Sequence, residues 1–408
     1  MRTKSGFLIE DRNDVVAKVL LFLFSPFIGF LYSLKRINTK SSFVVFFLFA
    51  ICFGLCFTPE NCTRYYIDGQ SYAENFVHYS NISITTFVND FEQYISFETE
   101  GKDFYVNLLA FLVSRFTDNY HVFFLFAAFI FSFFQLKTFK YLTKEKEFDN
   151  SYICFLFCFL FLKISIFNIN GIRFWTGYWI AMFALFKIFR DNNYKYISLL
   201  LLASFCHGTL FLLFPIVFVT IFFKKFTKSW IFLYFLSFFI GNIAFEIILN
   251  VQSYLPLFLQ SLIASYTAEE YIEMRNAEGS GFWFVGEIFR YIVRIFLFIT
   301  MLLIIKSKNQ INNDSRTKNI FALLLVLMTF SNFVLDVPSL GVRFMMLTYP
   351  LIAYICLLFF KKRYSIFFAL IPVFYFMEIF QELRLYTEVL NIDFFITNPI
   401  YLMFKYLF

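Results

Sequence analysis

Apolar runs of bilayer-spanning length recur throughout this chain, for example SSFVVFFLFAICFGLCFT at 41–58 and NIFALLLVLMTFSNFVL at 319–335. A hydrocarbon layer about 30 Å thick needs about 20 such residues in a helix. Inside it every backbone N–H and C=O must find a partner, which leaves helices and closed barrels as the only spanning structures. Barrel strands alternate apolar and polar residues, whereas these runs are apolar on every face. The expectation is an all-α polytopic integral membrane protein of ten to twelve membrane helices, forming one transmembrane domain over 1–408. Spans are expected near 15–34, 41–58, 119–140, 152–168, 172–190, 229–249, 282–305, 319–335, 339–360 and 364–382. The balance of 60% hydrophobic residues and a mean hydropathy of +0.69 fit that class. The N-terminal segment lacks a small-residue cleavage site before Lys35 and Arg36, so it is not expected to be a removable signal.

Lys and Arg set the orientation. Loops 35–40, 137–149, 187–195, 224–228, 306–318 and 361–363 together hold 20 of them, whereas the long loops 59–103 and 250–281 hold 3. The long loops are therefore expected outside. The net charge of +7 belongs to this topology, and no nucleic-acid partner is expected. Basic loops flank 196–223 on both sides, which a single crossing does not allow. Two short helices meeting at His207-Gly208 do, so a re-entrant hairpin is expected there, buried or lining a cavity. The segment 104–117 is too short to span.

Charged residues inside such segments are costly and mark functional pathways. Arg173 opens the span FNINGIRFWTGYWIAMFALF, just after Asn170-Gly171, and Arg343 opens another after Pro338-Ser339. Helix N-termini carry unpaired N–H donors and partial positive charge, so each arginine shares its place with a ready anion site. Glu287, Arg290 and Arg294 recur at i, i+3 and i+7 on one helix face. There Glu287 can pair with Arg290, leaving Arg294 deeper in the membrane. Arginine reads phosphate through two parallel hydrogen bonds. Clustered guanidinium groups near the outer face therefore point to an anionic, lipid-tailed ligand such as a diphosphate carrier. The loop TRYYIDGQSYAENFVHYS supplies aromatic faces and hydroxyls suited to sugars. No metal is expected, since neither HxxxH nor a carboxylate cluster occurs, and no cofactor loop of the GxGxxG or GxxxxGK[ST] kind is present. Cys52, Cys56, Cys154, Cys158, Cys206 and Cys356 sit inside apolar segments and read as inert buried thiols.

Four stretches together resemble the EpsG family of exopolysaccharide-synthesis membrane proteins, related to Wzy-type polymerases. They are Asp68 to Tyr72 in a D-x-x-x-Y pattern, ETEGKDFYVNLL with Glu98 and Glu100, NINGIRFWTGYWIAMFALF, and SFCHGTLFLLFPI. The likeness runs over most of 40–360. It departs at Phe174-Trp175, where many members would carry Arg-Gln after the arginine. The resemblance implies a polysaccharide polymerase, a glycosyltransferase acting on undecaprenyl-diphosphate-linked repeat units at the outer face of the bacterial inner membrane. Capsule, O-antigen or exopolysaccharide would be the product. Partners would be the lipid-linked oligosaccharide, membrane lipids, a flippase and a chain-length regulator. In that scheme Arg173 and Arg343 hold the diphosphate, assisted by Arg290 or Arg294, with Asn170 and Tyr72 alongside. His207 is the first candidate for the general base, with Asp68 or Glu98 second. Two other classes remain: a flippase or exporter of lipid-linked oligosaccharide, which should show repeated halves, and a membrane O-acyltransferase using His207.

Overall fold

The computed structural model describes residues 7–63, 66–96, 103–143, 160, 164–240, 246–247, 250–254, 260, 283–335, 337, 339–360, 365–371, 373, 386 and 388–408. At 143, 283–287, 289–290, 365–366 and 393 it describes the backbone. Glu98, the side chains of Glu287 and Arg290, most of 152–168 and most of loop 250–281 therefore lie outside the described residues. Among the described residues the structure is all-α, its only extended pairing a single parallel bridge between Leu8 and Thr39.

Helices α1 (Arg12–Phe24), α2 (Pro26–Ser33), α3 (Lys40–Cys56), α4 (Asp68–Ser80), α5 (Ile84–Ile95), α6 (Tyr105–Ser114) and α7 (Tyr120–Thr143) come first. They are followed by α8 (Ile172–Phe189), α9 (Ile197–Cys206), α10 (Leu213–Phe223), α11 (Thr227–Leu236), α12 (Trp283–Lys306), α13 (Ser315–Phe333), α14 (Leu340–Phe359) and α15 (Pro399–Leu407). Their starts follow capping chemistry. Asp11, Ser25, Thr39, Asp314 and Asn398 each accept a backbone N–H from the first turn of α1, α2, α3, α13 and α15. Pro26 and Pro399 occupy first-turn positions, where a missing N–H costs nothing.

Among the described residues two helices are long and apolar enough to cross a membrane, Tyr120–Leu142 within α7 and α14. At about 1.5 Å per residue, the 20 residues of α14 rise roughly 30 Å. Several expected spans are shorter than the hydropathy suggests. The segment 15–34 breaks at Ser25, which is extended (φ −154°, ψ 127°). A Cβ on Gly29 would lie 2.7 Å from the Phe22 Cα, so α2 folds back on α1. In the segment 229–249, α11 ends at Leu236, and residues 237–240 turn instead of continuing it. The stretch 104–117 is the ten-residue α6, about 15 Å long and unable to span.

The chain divides into two compact units, one of Met1–Asn89, Phe104–Phe183 and Lys361–Phe408, the other of Asp90–Asp103 and Ala184–Phe360. In the first, α3 and α7 pack side by side. They come close at Gly54, where a Cβ would meet the Phe124 carbonyl oxygen at 2.5 Å and the Ala128 Cβ at 2.6 Å. Small residues permit such contact between apolar helices. Phe30, Phe49, Phe53 and Phe167 fill the space beside them, with Phe30 and Phe49 stacked at 4.3 Å.

The same unit buries a charge that hydropathy did not reveal. Lys18 has no exposed surface, and its ammonium donates to Glu10 (3.0 Å), Asp14 (2.8 Å) and Thr39 Oγ1 (3.0 Å). Val16, Val19, Leu20, Leu23 and Phe24 on the same helix are exposed. Helix α1 thus turns charge inward and apolar side chains outward, the reverse of a helix bathed in water. Burial pushes the Glu10 carboxyl up, but hydrogen bonds from Ser41 and Lys18 outweigh it and hold the group below its ordinary value. In the second unit α14 is buried along most of its length against α13, and α13 against α11.

Candidate functional site

Two polar clusters stand out in this apolar setting, one in each unit. The first is built where a 3-10 turn, Ile166–Gly171, runs into α8. Asn170 accepts the backbone N–H of Gly69 at 2.8 Å. That N–H belongs to the first turn of α4, which has no intrahelical acceptor for it. Asn170 thereby caps a helix 101 residues away in sequence. Gly69 is required there, because a Cβ would meet the Phe57 ring at 2.7 Å and Pro59 at 3.0 Å.

One turn along α4, Tyr72 is only 2% exposed. Its phenol oxygen accepts from Arg173 Nε at 3.0 Å, and the guanidinium carbon lies 5.2 Å from the centre of the same ring. One tyrosine thus fixes the arginine by a charge-assisted hydrogen bond and by cation–π attraction. The phenol in turn donates to Asp68 Oδ2 over a longer 3.4 Å. Asp68 and Tyr72 face each other because they are four residues apart on one helix, and Asp68 is exposed. Trp175 folds back over Gly171, where a Cβ would come within 2.8 Å of the indole nitrogen. The structure thus brings Asp68, Tyr72, Asn170 and Arg173 together at the paired starts of α4 and α8.

The second cluster sits at the break between α9 and α10. His207 is extended (φ −158°, ψ 121°) and caps a 3-10 turn, Gly208–Leu212. The helix break therefore falls at the His207-Gly208 pair that the sequence singles out, and each half-helix alone is too short to span. The His207 Nδ1 accepts the Thr209 amide at 3.3 Å and lies 2.8 Å from Thr209 Oγ1. The other ring nitrogen, Nε2, faces Arg343 and lies 3.5 Å from its Nη1, which sets an imidazole and a guanidinium side by side at the helix break.

Arg343 lies in the first turn of α14, whose cap residue Ser339 has φ 62°. This left-handed conformation is rare outside glycine and is maintained only where the surroundings demand it. Gly341 lets that turn close on the residues just after α13, since a Cβ there would meet the Leu335 Cα at 2.4 Å and the Val334 carbonyl oxygen at 2.6 Å. Strain and close packing together fix the base of the arginine. Arg294, on α12 of the same unit, has its guanidinium carbon 5.6 Å from the centre of the Tyr291 ring.

Sequence reasoning named His207 but not its partner Thr209, and named Tyr72 as a ligand contact rather than as the holder of Arg173. The i, i+4 spacing of Asp68 and Tyr72 was the available signal. Nothing local to Gly69 announced its bond to Asn170. Among the described residues no group of His, Cys, Asp and Glu could hold a metal ion.

The EpsG family model matches residues 61–391, which includes both clusters. The chain belongs to the EpsG family. No curated protein and no solved structure matches it. EpsG membership places the chain in exopolysaccharide biosynthesis, and with the long apolar helices it marks a membrane protein.

Proposed function

We propose that this EpsG protein is a multi-pass glycosyltransferase of the bacterial cytoplasmic membrane that polymerises lipid-linked repeat units at the outer face. Its donor is a sugar or oligosaccharide on a polyprenyl diphosphate. The acceptor hydroxyl forms the new bond to the anomeric carbon as the bond from that carbon to the diphosphate oxygen breaks. The hydroxyl proton passes to a base, and the polyprenyl diphosphate leaves with added negative charge. Fixed cationic donors aimed at that charge lower the barrier most in a site from which water is excluded.

The observation that carries this reading is the fixation of Arg173 by buried Tyr72 at the start of α8. A guanidinium ordered in this way at a helix N-terminus suits a phosphate oxygen. Arg343 contributes a second cationic donor, with the His207 imidazole beside it. Asp68, exposed and sharing the Tyr72 hydroxyl with Arg173, is the base on this account. Loops 59–103 and 250–281 face outward, and the break at His207 belongs to a re-entrant segment.

The test is polymer production in cells lacking the native gene and supplied with Arg173→Ala or Arg173→Lys at equal membrane levels. Arg173→Ala should abolish polymer. Arg173→Lys should leave it severely reduced, since lysine keeps the charge but not the planar pair of donors. Polymer of normal amount and length from Arg173→Ala would overturn the proposal.

A further inference from the structure

Helix α5 lies within the acidic loop 59–103, yet one side of it is apolar and uncovered. Ile84, Val88, Phe91 and Ile95 are all exposed, Ile84 to 67%. At about 100° per residue these four side chains fall within about 60° of one another around the helix. Asn89, Asp90, Glu92 and Gln93 take the remaining directions. A helix bathed in water turns such a stripe inward. Here only Phe87, at the edge of the stripe, is buried. The 12 residues of α5 rise about 18 Å, too little to cross a bilayer.

The stripe is held in a fixed orientation. Phe87 stacks on Phe111 of α6 with ring centres 3.9 Å apart. Arg115, just past α6, has its guanidinium carbon 4.6 Å from the centre of the same Phe111 ring. It also donates to the carbonyls of Tyr79 (2.6 Å), Ser80 (3.1 Å) and Ile82 (3.2 Å). Those carbonyls end α4 and lead into α5, whose first turn is capped by Ser83 Oγ accepting the Thr86 amide at 3.1 Å. A pinned corner therefore joins α5 to α4, the helix that carries Asp68 and Tyr72.

What covers the stripe follows from its neighbours. Helix α6 exposes Leu108 and Leu112, and Phe116, in the connection to α7, is 90% exposed. Helix α7 is long and apolar enough to cross a membrane, and it exposes Phe126, Phe129 and Phe133. Exposed apolar side chains thus continue from the spanning helix through Phe116 and α6 to α5. A second copy is a poor occupant, because four side chains fall far short of the roughly 20–30 residues a side in a stable interface. Nor does α5 carry any Lys or Arg, so burial of apolar surface, and not attraction to anionic headgroups, would hold it to lipid.

We propose that α5 is an interfacial helix, lying flat where headgroups meet acyl chains, with Ile84, Val88, Phe91 and Ile95 in lipid. The partner of this surface is the bilayer itself, and through the Arg115 corner it sets the level of the end of α4. The inference does not depend on the transferase reading.

The test uses full-length protein in phosphatidylcholine nanodiscs, with a nitroxide attached at one position at a time and the parent protein as control for native cysteines. At Val88→Cys and Phe91→Cys the label should collide severalfold more with dissolved oxygen than with a water-soluble nickel chelate. At Asn89→Cys and Gln93→Cys the preference should reverse, and raising the salt should change neither pattern. Nickel reaching all four positions alike would place the helix in water and overturn the proposal. Shielding of 88 and 91 from both reagents would also overturn it, with spin–spin broadening marking a second copy and its absence marking cover by the chain itself. A second comparison guards against disturbance by the label. Ile84→Asn combined with Ile95→Asn should raise nickel access at Phe91→Cys severalfold, whereas Thr85→Asn combined with Gln93→Asn, on the polar side, should not. An equal response to the two pairs would overturn the proposal.

Discussion

Replacing Tyr72 by Phe removes one oxygen from the first cluster and leaves its ring in place. That oxygen accepts from Arg173 Nε at 3.0 Å, and a hydrogen bond to a charged group contributes about 1.5–3 kcal/mol. The contact of the phenol with Asp68, at 3.4 Å, is too long to add much. The ring beneath the guanidinium, 5.2 Å from its carbon, survives, so its cation–π attraction of about 0.5–2 kcal/mol is retained. At about 1.4 kcal/mol per tenfold, Tyr72→Phe should lower kcat/KM about 10- to 100-fold. Membrane levels should stay normal, because no cavity opens at this buried position. Glycosyl transfer from a lipid-linked donor, measured in membranes matched for protein by immunoblot, gives the number. A double-mutant cycle with Arg173→Lys isolates the pair. If the two side chains act through their mutual bond, the double variant should be scarcely worse than Arg173→Lys alone. Fully additive losses, or wild-type activity for Tyr72→Phe, would refute the view that Tyr72 works by fixing Arg173.

Other consequences follow from the same coordinates. His207→Asn should keep the helix break, since an asparagine oxygen can accept the Thr209 amide as Nδ1 does, yet should lose about 10- to 100-fold in activity with the ring nitrogen beside Arg343; full activity would reduce His207 to a cap. Lys18→Met removes the ammonium that pairs with both Glu10 and Asp14 and leaves only the 3.9 Å contact of Arg36 with Asp14 among the described residues, and an uncompensated buried charge costs about 3–5 kcal/mol. The variant should melt markedly lower in detergent, and an unchanged Tm would show the cluster to be idle. Ser83→Cys lies at an exposed position in loop 59–103 and should react with an impermeant thiol reagent in intact cells, the parent protein serving as control. Reaction only after lysis would reverse the topology.

Helices without competing signals were legible in the sequence. The α3, α7, α13 and α14 segments follow long apolar runs to within a few residues, and the break at His207-Gly208 was visible because basic loops flank it. Arg173 and Arg343 also stood out, since a guanidinium in an apolar run has no bland local explanation. What could not be read was pairing across sequence distance. The bond from Gly69 to Asn170 and the hold of Tyr72 on Arg173 each join residues 101 apart, and no local pattern encodes them. Lys18 was passed over because hydropathy averages a single cation into its neighbours. Its acidic partners at i−4 and i−8 were the signal that periodicity could have used. The segment 229–249 was read as one span because apolarity alone does not register where α11 stops at Leu236.

The account stands on Arg173 recognising the diphosphate of a lipid-linked donor. Equilibrium binding of polyprenyl diphosphate and of the matching polyprenyl alcohol to purified protein tests this most directly. Wild type should prefer the diphosphate at least tenfold, and Arg173→Ala should bind both with nearly equal affinity. An undiminished preference for the diphosphate in Arg173→Ala would contradict the account.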